Sequence, residues 1–86
     1  MDIDVRPVVA EFALAMEAKL RKNDHKPEWQ NDTAADLLVR LEEEEEELYD
    51  AVHDETADNT EVMDEATDVA NFSLMVWDAA RNYRIS

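Results

Sequence analysis

Two stretches of this chain set paired carboxylates at helical spacing beside apolar residues. One reads Leu41, Glu44, Glu47, Leu48, and the other Val62, Glu65, Asp68, Val69. Residues three apart share a helix face, so each stretch offers two acids from one side of a helix. Carboxylates are hard anionic oxygen donors and suit Mg²⁺, or Mn²⁺, better than softer ions. Crowded together without a cation they repel: unit charges about 4 Å apart oppose each other by roughly 4 kcal/mol at an effective dielectric near 20. A divalent ion reverses that sign. The pattern predicts a metal site built from Glu44, Glu47, Glu65 and Asp68.

The first pair lies inside an unbroken run, Glu42 to Glu47. Such a run is ordinarily a solvated helix face. At about 100° per residue, with Leu41, Leu48 and Val52 marking the buried direction, Glu44 falls about 60° and Glu47 about 120° off it on one side. Glu42, Glu43 and Glu46 point further toward solvent. Glu45 falls about 40° off on this construction, which leaves it as an additional ligand, a proton acceptor or an edge residue. On the other stretch Glu65 and Asp68 lie about 40° and 100° from Val69, on the matching side. Two helices joined by a short turn and packed antiparallel would aim all four acids into one cleft.

Three amphipathic helices would carry these groups. The first is expected over about 7–23, with Pro7 favoured at a first helical position and Val5, Val8, Val9, Phe12, Met16 and Leu20 as its stripe. Pro27 ends any continuation. The second is expected over about 33–52, with Asn31, Asp32 or Thr33 as N-cap and Ala34, Leu37, Leu38, Leu41, Leu48 and Val52 inward. After a polar turn, Asp58 followed by Glu61 resembles an N-terminal capping arrangement for a third helix over about 60–83. No strand-like alternation occurs. The expected fold is an all-α antiparallel bundle of three main helices in one domain over residues 1–86. From Val69 to Trp77 the third helix is apolar nearly all round, so it needs cover on several sides. Phe72, Leu74, Met75, Val76 and Trp77 are candidates for core or interface, and a homodimer or homotetramer is expected to complete the core.

Composition narrows the chemistry. The 86 residues contain no Cys and no Gly and carry a net charge of −15. Without Cys there is no disulfide or zinc-thiolate site, and without Gly there is no glycine-rich phosphate loop. The charge opposes nucleic acid and anionic membranes as partners. No apolar run approaches the roughly 20 residues of a membrane span, and the first residues lack a secretory pattern. A cytoplasmic protein is expected. A polyphosphate ligand would need metal ions to bridge it to so acidic a surface.

Half of the eight basic residues fall at Lys19, Arg21, Lys22 and Lys26. Lys19, Lys22 and Lys26 share one helical face, and Lys19 also lies in the apolar stripe, so it should point toward the bundle. There it would bind a substrate phosphate, or else snorkel or pair with the glutamate run. Trp29 offers a face for stacking on a nucleobase, or a cover for the bundle end.

With these residues assembled, the chain resembles the MazG-like all-α nucleoside triphosphate pyrophosphohydrolases, a superfamily that includes the dimeric dUTPases. The likeness rests on Glu44-Glu45-Glu46-Glu47 followed by Leu48, on Glu65-Ala66-Thr67-Asp68 followed by Val69-Ala70-Asn71-Phe72, and on Lys19 to Lys26 with Trp29, which is similar to small phage-borne members. Position 45 is usually apolar in that family and is Glu here. The resemblance implies Mg²⁺-dependent cleavage of a (deoxy)nucleoside triphosphate to the monophosphate and pyrophosphate, in nucleotide-pool cleaning or recycling, within the host cytoplasm if phage-encoded. Glu44, Glu47, Glu65 and Asp68 would hold the ions, Glu43 or Glu45 would take the proton of the attacking water, and Lys19, Lys22 and Lys26 would hold the outer phosphates. The alternative from another class is an acidic helical binding protein, such as a DNA mimic, without catalysis.

Overall fold

The computed structural model describes residues 4–24 and 29–86. Among them it is all-helical: α1 spans Pro7–Lys22, a short 3₁₀ turn covers Trp29–Asn31, α2 spans Ala34–His53 and α3 spans Asn59–Arg81. No described residue is in a strand.

The helix ends follow local chemistry. Pro7 opens α1, where its missing N–H is no loss. Of the three candidate caps for α2, Thr33 is the one used: its Oγ1 accepts from Asp36 N at 3.1 Å. Asp58 Oδ1 accepts from Glu61 N at 2.9 Å and caps α3. The end of α3 then closes on the start of α2. Tyr83 N donates to Ala80 O at 3.0 Å and Arg84 N to Ala79 O at 2.9 Å, the paired bonds of a Schellman turn. That turn carries the carbonyls of Arg84 and Ile85 to Ala34 N (2.7 Å) and Ala35 N (2.9 Å), so the N–H groups left open at the start of α2 find acceptors.

The turn requires a left-handed residue, and Tyr83 supplies it at φ 62°. A side chain with a Cβ pays about 1 kcal/mol or more there, and glycine does not. Tyr83 is 93% exposed, so little packing is lost with its ring. Tyr83→Gly is expected to stabilise the fold by about 0.5–1 kcal/mol, read as a higher urea midpoint at unchanged slope. A lower midpoint would mean that the ring has a packing role.

α3 is the central element; it packs extensively on α2 and less on α1. The core is small. Leu37, Met75 and Ala79 are its buried apolar residues, with Leu20, Trp29, Ala34, Phe72 and Val76 packed around them. The expected α1 stripe is correct in period but not in burial: Val5, Val8, Val9 and Phe12 are exposed, and only Met16 and Leu20 are half-buried. On α2 Leu38 and Val52 are exposed as well, and Trp77 of α3 is 59% exposed beneath the Arg81 guanidinium, which lies 4.8 Å from the ring centre. The reason is geometric. A single partner helix covers about one third of a helix surface, whereas the apolar residues on α1 and α3 spread more widely.

Candidate functional site

The acidic residues of α2 and α3 meet where the two helices face each other. One oxygen from each of Glu44, Glu47 and Glu65 lies within 4.8 Å of the others, and the same holds for Asp64, Glu65 and Asp68. Glu65 belongs to both groups. All four acids expected from the spacing are therefore gathered in one connected cluster.

The local reason lies in the register of α2. Its buried and half-buried positions are Ala34, Leu37, Leu41, Glu44, Leu48 and Ala51. Relative to the mean direction of the five apolar ones, Glu44 lies about 35° and Glu45 about 65° away, on opposite sides. The exposed Val52 had drawn the expected direction toward Glu45. Glu44 thus stands in the seam itself, and Glu45 is exposed. Glu43 is exposed too, its Oε2 lying 3.9 Å from Arg40 Nε. Neither Glu43 nor Glu45 belongs to the two acidic groups.

The electrostatics follow from this placement. Burial is the first cause that pushes the Glu44 carboxyl up, to about 7. Next come the hydrogen bond its protonated form makes to Glu47 and repulsion from Glu47, Asp68 and Glu65. Glu65 is also raised, first by burial and then by the charges of Glu47 and Asp68, with Lys19 pulling the other way. Glu44 Oε2 and Glu65 Oε2 are buried with no hydrogen-bond donor. Buried carboxylate oxygens are rarely left in that state. An all-carboxylate donor set with unfilled buried oxygens fits a hard divalent cation.

Lys19 points into the cluster. Its Nζ lies 2.7 Å from Asp68 Oδ1 and 2.9 Å from Asp64 Oδ1, and donates to Asp64 O at 3.5 Å. Burial by itself would lower this ammonium, but the bonds and charges of Asp68 and Asp64 outweigh it and the net shift is upward. The salt bridge is to α3, not to the glutamate run of α2. Lys22 is exposed. Lys26 lies outside the described residues.

A cavity of about 620 Å³ is lined by other residues, starting one helical turn from the cluster. Its walls include Leu20, Trp29, Leu37, Arg40, Phe72 and Met75. Arg40 is one turn from Glu44 on α2, and Phe72 one turn from Asp68 on α3. The Arg40 guanidinium lies 5.1 Å from the centre of the Phe72 ring, a cation–π contact. Trp29 both lines this space and packs on the core.

Three residues here escaped the spacing argument. Asp64 was passed over because the four-acid pattern was already filled, although it stands one turn before Asp68. Arg40 carries the matching signal on α2, one turn before Glu44. Asn71 is 5% exposed and donates from Nδ2 to Met16 O at 3.2 Å; it stands as a lone Asn inside an apolar run, within the stretch that carries the family resemblance. Set against known proteins, the chain matches no family model, no curated protein and no solved structure, and the site is described by its own geometry.

Proposed function

We propose that the chain is a Mg²⁺-dependent nucleoside triphosphate pyrophosphohydrolase of the MazG-like kind, converting a (deoxy)nucleoside triphosphate to its monophosphate and pyrophosphate. The observation that carries this reading is the convergence of Glu44, Glu47, Glu65 and Asp68 on shared positions, with buried oxygens that lack donors. The cavity one helical turn away adds to it. A metal-bridged triphosphate at the acids would leave its nucleoside to lie toward Trp29 and Phe72, two aromatic faces suited to a flat base, in a cavity that Arg40, Glu17, Asp24 and Asp32 also line.

In this reading Glu44, Glu47, Glu65 and Asp68 hold the cation, with Mn²⁺ an acceptable substitute. When bound, it would neutralise the phosphates, activate a water and stabilise charge on the α-phosphoryl oxygens. Lys19 stands beside the acids as a phosphate ligand, and Lys22 and Lys26 are assigned to the outer phosphates. Glu43 or Glu45, which have no place in the acidic groups, takes the water's proton. The helices form an antiparallel bundle whose core is completed by self-association. The accessible area supports that last point: 6851 Å² exceeds the about 5200 Å² usual for a compact chain of this mass. The excess matches what an obligate homodimer buries per subunit. Among the described residues no helix is long and apolar enough to cross a membrane.

The deciding experiment presents the canonical triphosphates and several damaged ones to the full chain, with Mg²⁺ and with EDTA, and measures pyrophosphate release. Release from at least one nucleotide with Mg²⁺, and none with EDTA, is expected. Silence across the whole panel would remove the catalytic reading.

A second reading has one observation in its favour. Glu42, Glu43, Glu45, Glu46 and Glu47 are all exposed, a dense anionic face that would suit a basic protein partner. On that reading a basic partner binds equally well in EDTA, and salt weakens the complex steeply.

A further inference from the structure

The two acidic groups that share Glu65 are not equivalent. Only one of them already holds a cation from the protein itself. Lys19 Nζ is within 2.9 Å of a carboxylate oxygen of both Asp64 and Asp68, and its side chain is only 22% exposed. The Glu44, Glu47 and Glu65 group is the one in which two buried oxygens, Glu44 Oε2 and Glu65 Oε2, find no donor.

Lys19 is held where it stands. α1 contains no buried residue, yet the turn that carries Lys19 is fixed at a definite height on α3. The buried Asn71 grips the Met16 carbonyl, one turn before Lys19. Leu20, the next residue, packs on the core. The ammonium is thus set opposite Asp64 and Asp68 by neutral contacts that do not depend on the acids.

We propose that Lys19 is a built-in occupant of the Asp64, Glu65 and Asp68 position, and that it makes cation loading ordered. A first divalent ion enters at Glu44, Glu47 and Glu65. A second enters at Asp64, Glu65 and Asp68 only after a polyphosphate draws the Lys19 ammonium away. The logic is competition between like charges for the same oxygens: an ion arriving beside the resident ammonium loses both the ligands and the favourable field. A polyphosphate offers Lys19 an alternative anion, so the same side chain that blocks the second ion then binds the substrate. The inference rests on the metal-site reading above and adds to it an order of events.

The test uses Mn²⁺ alone, with free Mn²⁺ followed by electron paramagnetic resonance. The wild-type chain is expected to take up one ion, and to take up a second when a non-hydrolysable triphosphate analogue is added. Lys19→Met is expected to bind two without the analogue, its second ion at least about tenfold tighter than in the wild type. Lys19→Arg keeps the wild-type count, and Lys19→Met combined with Asp64→Asn returns to one. Circular dichroism checks that each variant keeps its helices, and the wild-type measurement needs no variant at all. Two ions bound by the wild type without the analogue overturn the proposal, as does a Lys19→Met variant indistinguishable from wild type; both leave the metal site intact. No Mn²⁺ bound by any form removes the proposal and the metal-site reading together.

Discussion

Glu44→Gln abolishes pyrophosphate release, lowering it by about a thousandfold or more, and at the same time makes the metal-free protein more stable. Both effects come from one placement. Glu44 stands in the α2–α3 seam with Glu47, Glu65 and Asp68 around it. On the proposed function its charge is what the cation needs, and without the cation its charge is what the fold tolerates least. Gln keeps the shape and removes the charge.

The pH dependence gives this result its sign. Glu44 titrates at about 7 in the fold against 4.5 for the ordinary side chain. Below the ordinary value the carboxyl is neutral in folded and unfolded chains alike, and Gln gains nothing. As pH rises from 4.5 to about 7 the unfolded chain releases its proton while the folded one keeps it, so wild-type stability from this group falls. Above about 7 the folded group is ionised too, and the deficit is complete. The advantage of Glu44→Gln in EDTA should grow over that window and then level off. Saturating Mg²⁺ should reverse it, because an ion that binds only the folded wild type raises its stability by mass action. Thermal melts at about pH 4 and pH 8, with EDTA and with Mg²⁺, read all four corners. A variant that keeps its turnover, or that loses stability at pH 8 in EDTA, would contradict the role given to Glu44.

The extent to which the sequence announces this site depends on which level of structure set each residue. The four acids and the helices that carry them follow from local spacing, because i, i+3 placement fixes a shared face whatever the tertiary partner. The capping residues Thr33 and Asp58 likewise act within their own turn. Glu45 marks where local spacing stops being enough. An apolar residue at the end of a helix is read as inward, but Val52 is exposed, and a direction taken from Leu41, Leu48 and Val52 without Leu37 and Ala51 leans toward Glu45. Asp64 was missed for the opposite reason. Its part comes from Lys19, 45 residues earlier, and its place one turn before Asp68 does not by itself single it out. Burial on α1 was also illegible, because a stripe of Val and Phe reads the same whether a neighbouring helix of this chain or another molecule covers it.

Leu37→Ala carries the largest expected cost in stability and decides who covers that stripe. Leu37 is 2% exposed and is the largest fully buried side chain among the described residues. Replacing such a leucine typically costs about 3–5 kcal/mol, the lost transfer energy plus the cavity left behind. A chain of this size has a total stability of only about 4–13 kcal/mol, and among the described residues the buried apolar core is Leu37, Met75 and Ala79. A lone chain with this substitution should be largely unfolded at low concentration. Under the proposed self-association, α1 and α3 also bury Val8, Phe12, Met63 and Trp77 against a second copy, and each tenfold rise in concentration adds about 1.4 kcal/mol to a dimer's stability. Leu37→Ala should then regain helicity as the protein is concentrated, and the wild-type melting temperature should rise in parallel. The discriminating observation is the slope: a melting temperature indifferent to concentration over two or three decades would mean that the exposed apolar face of α1 meets water, and that the small core between α2 and α3 carries the fold by itself.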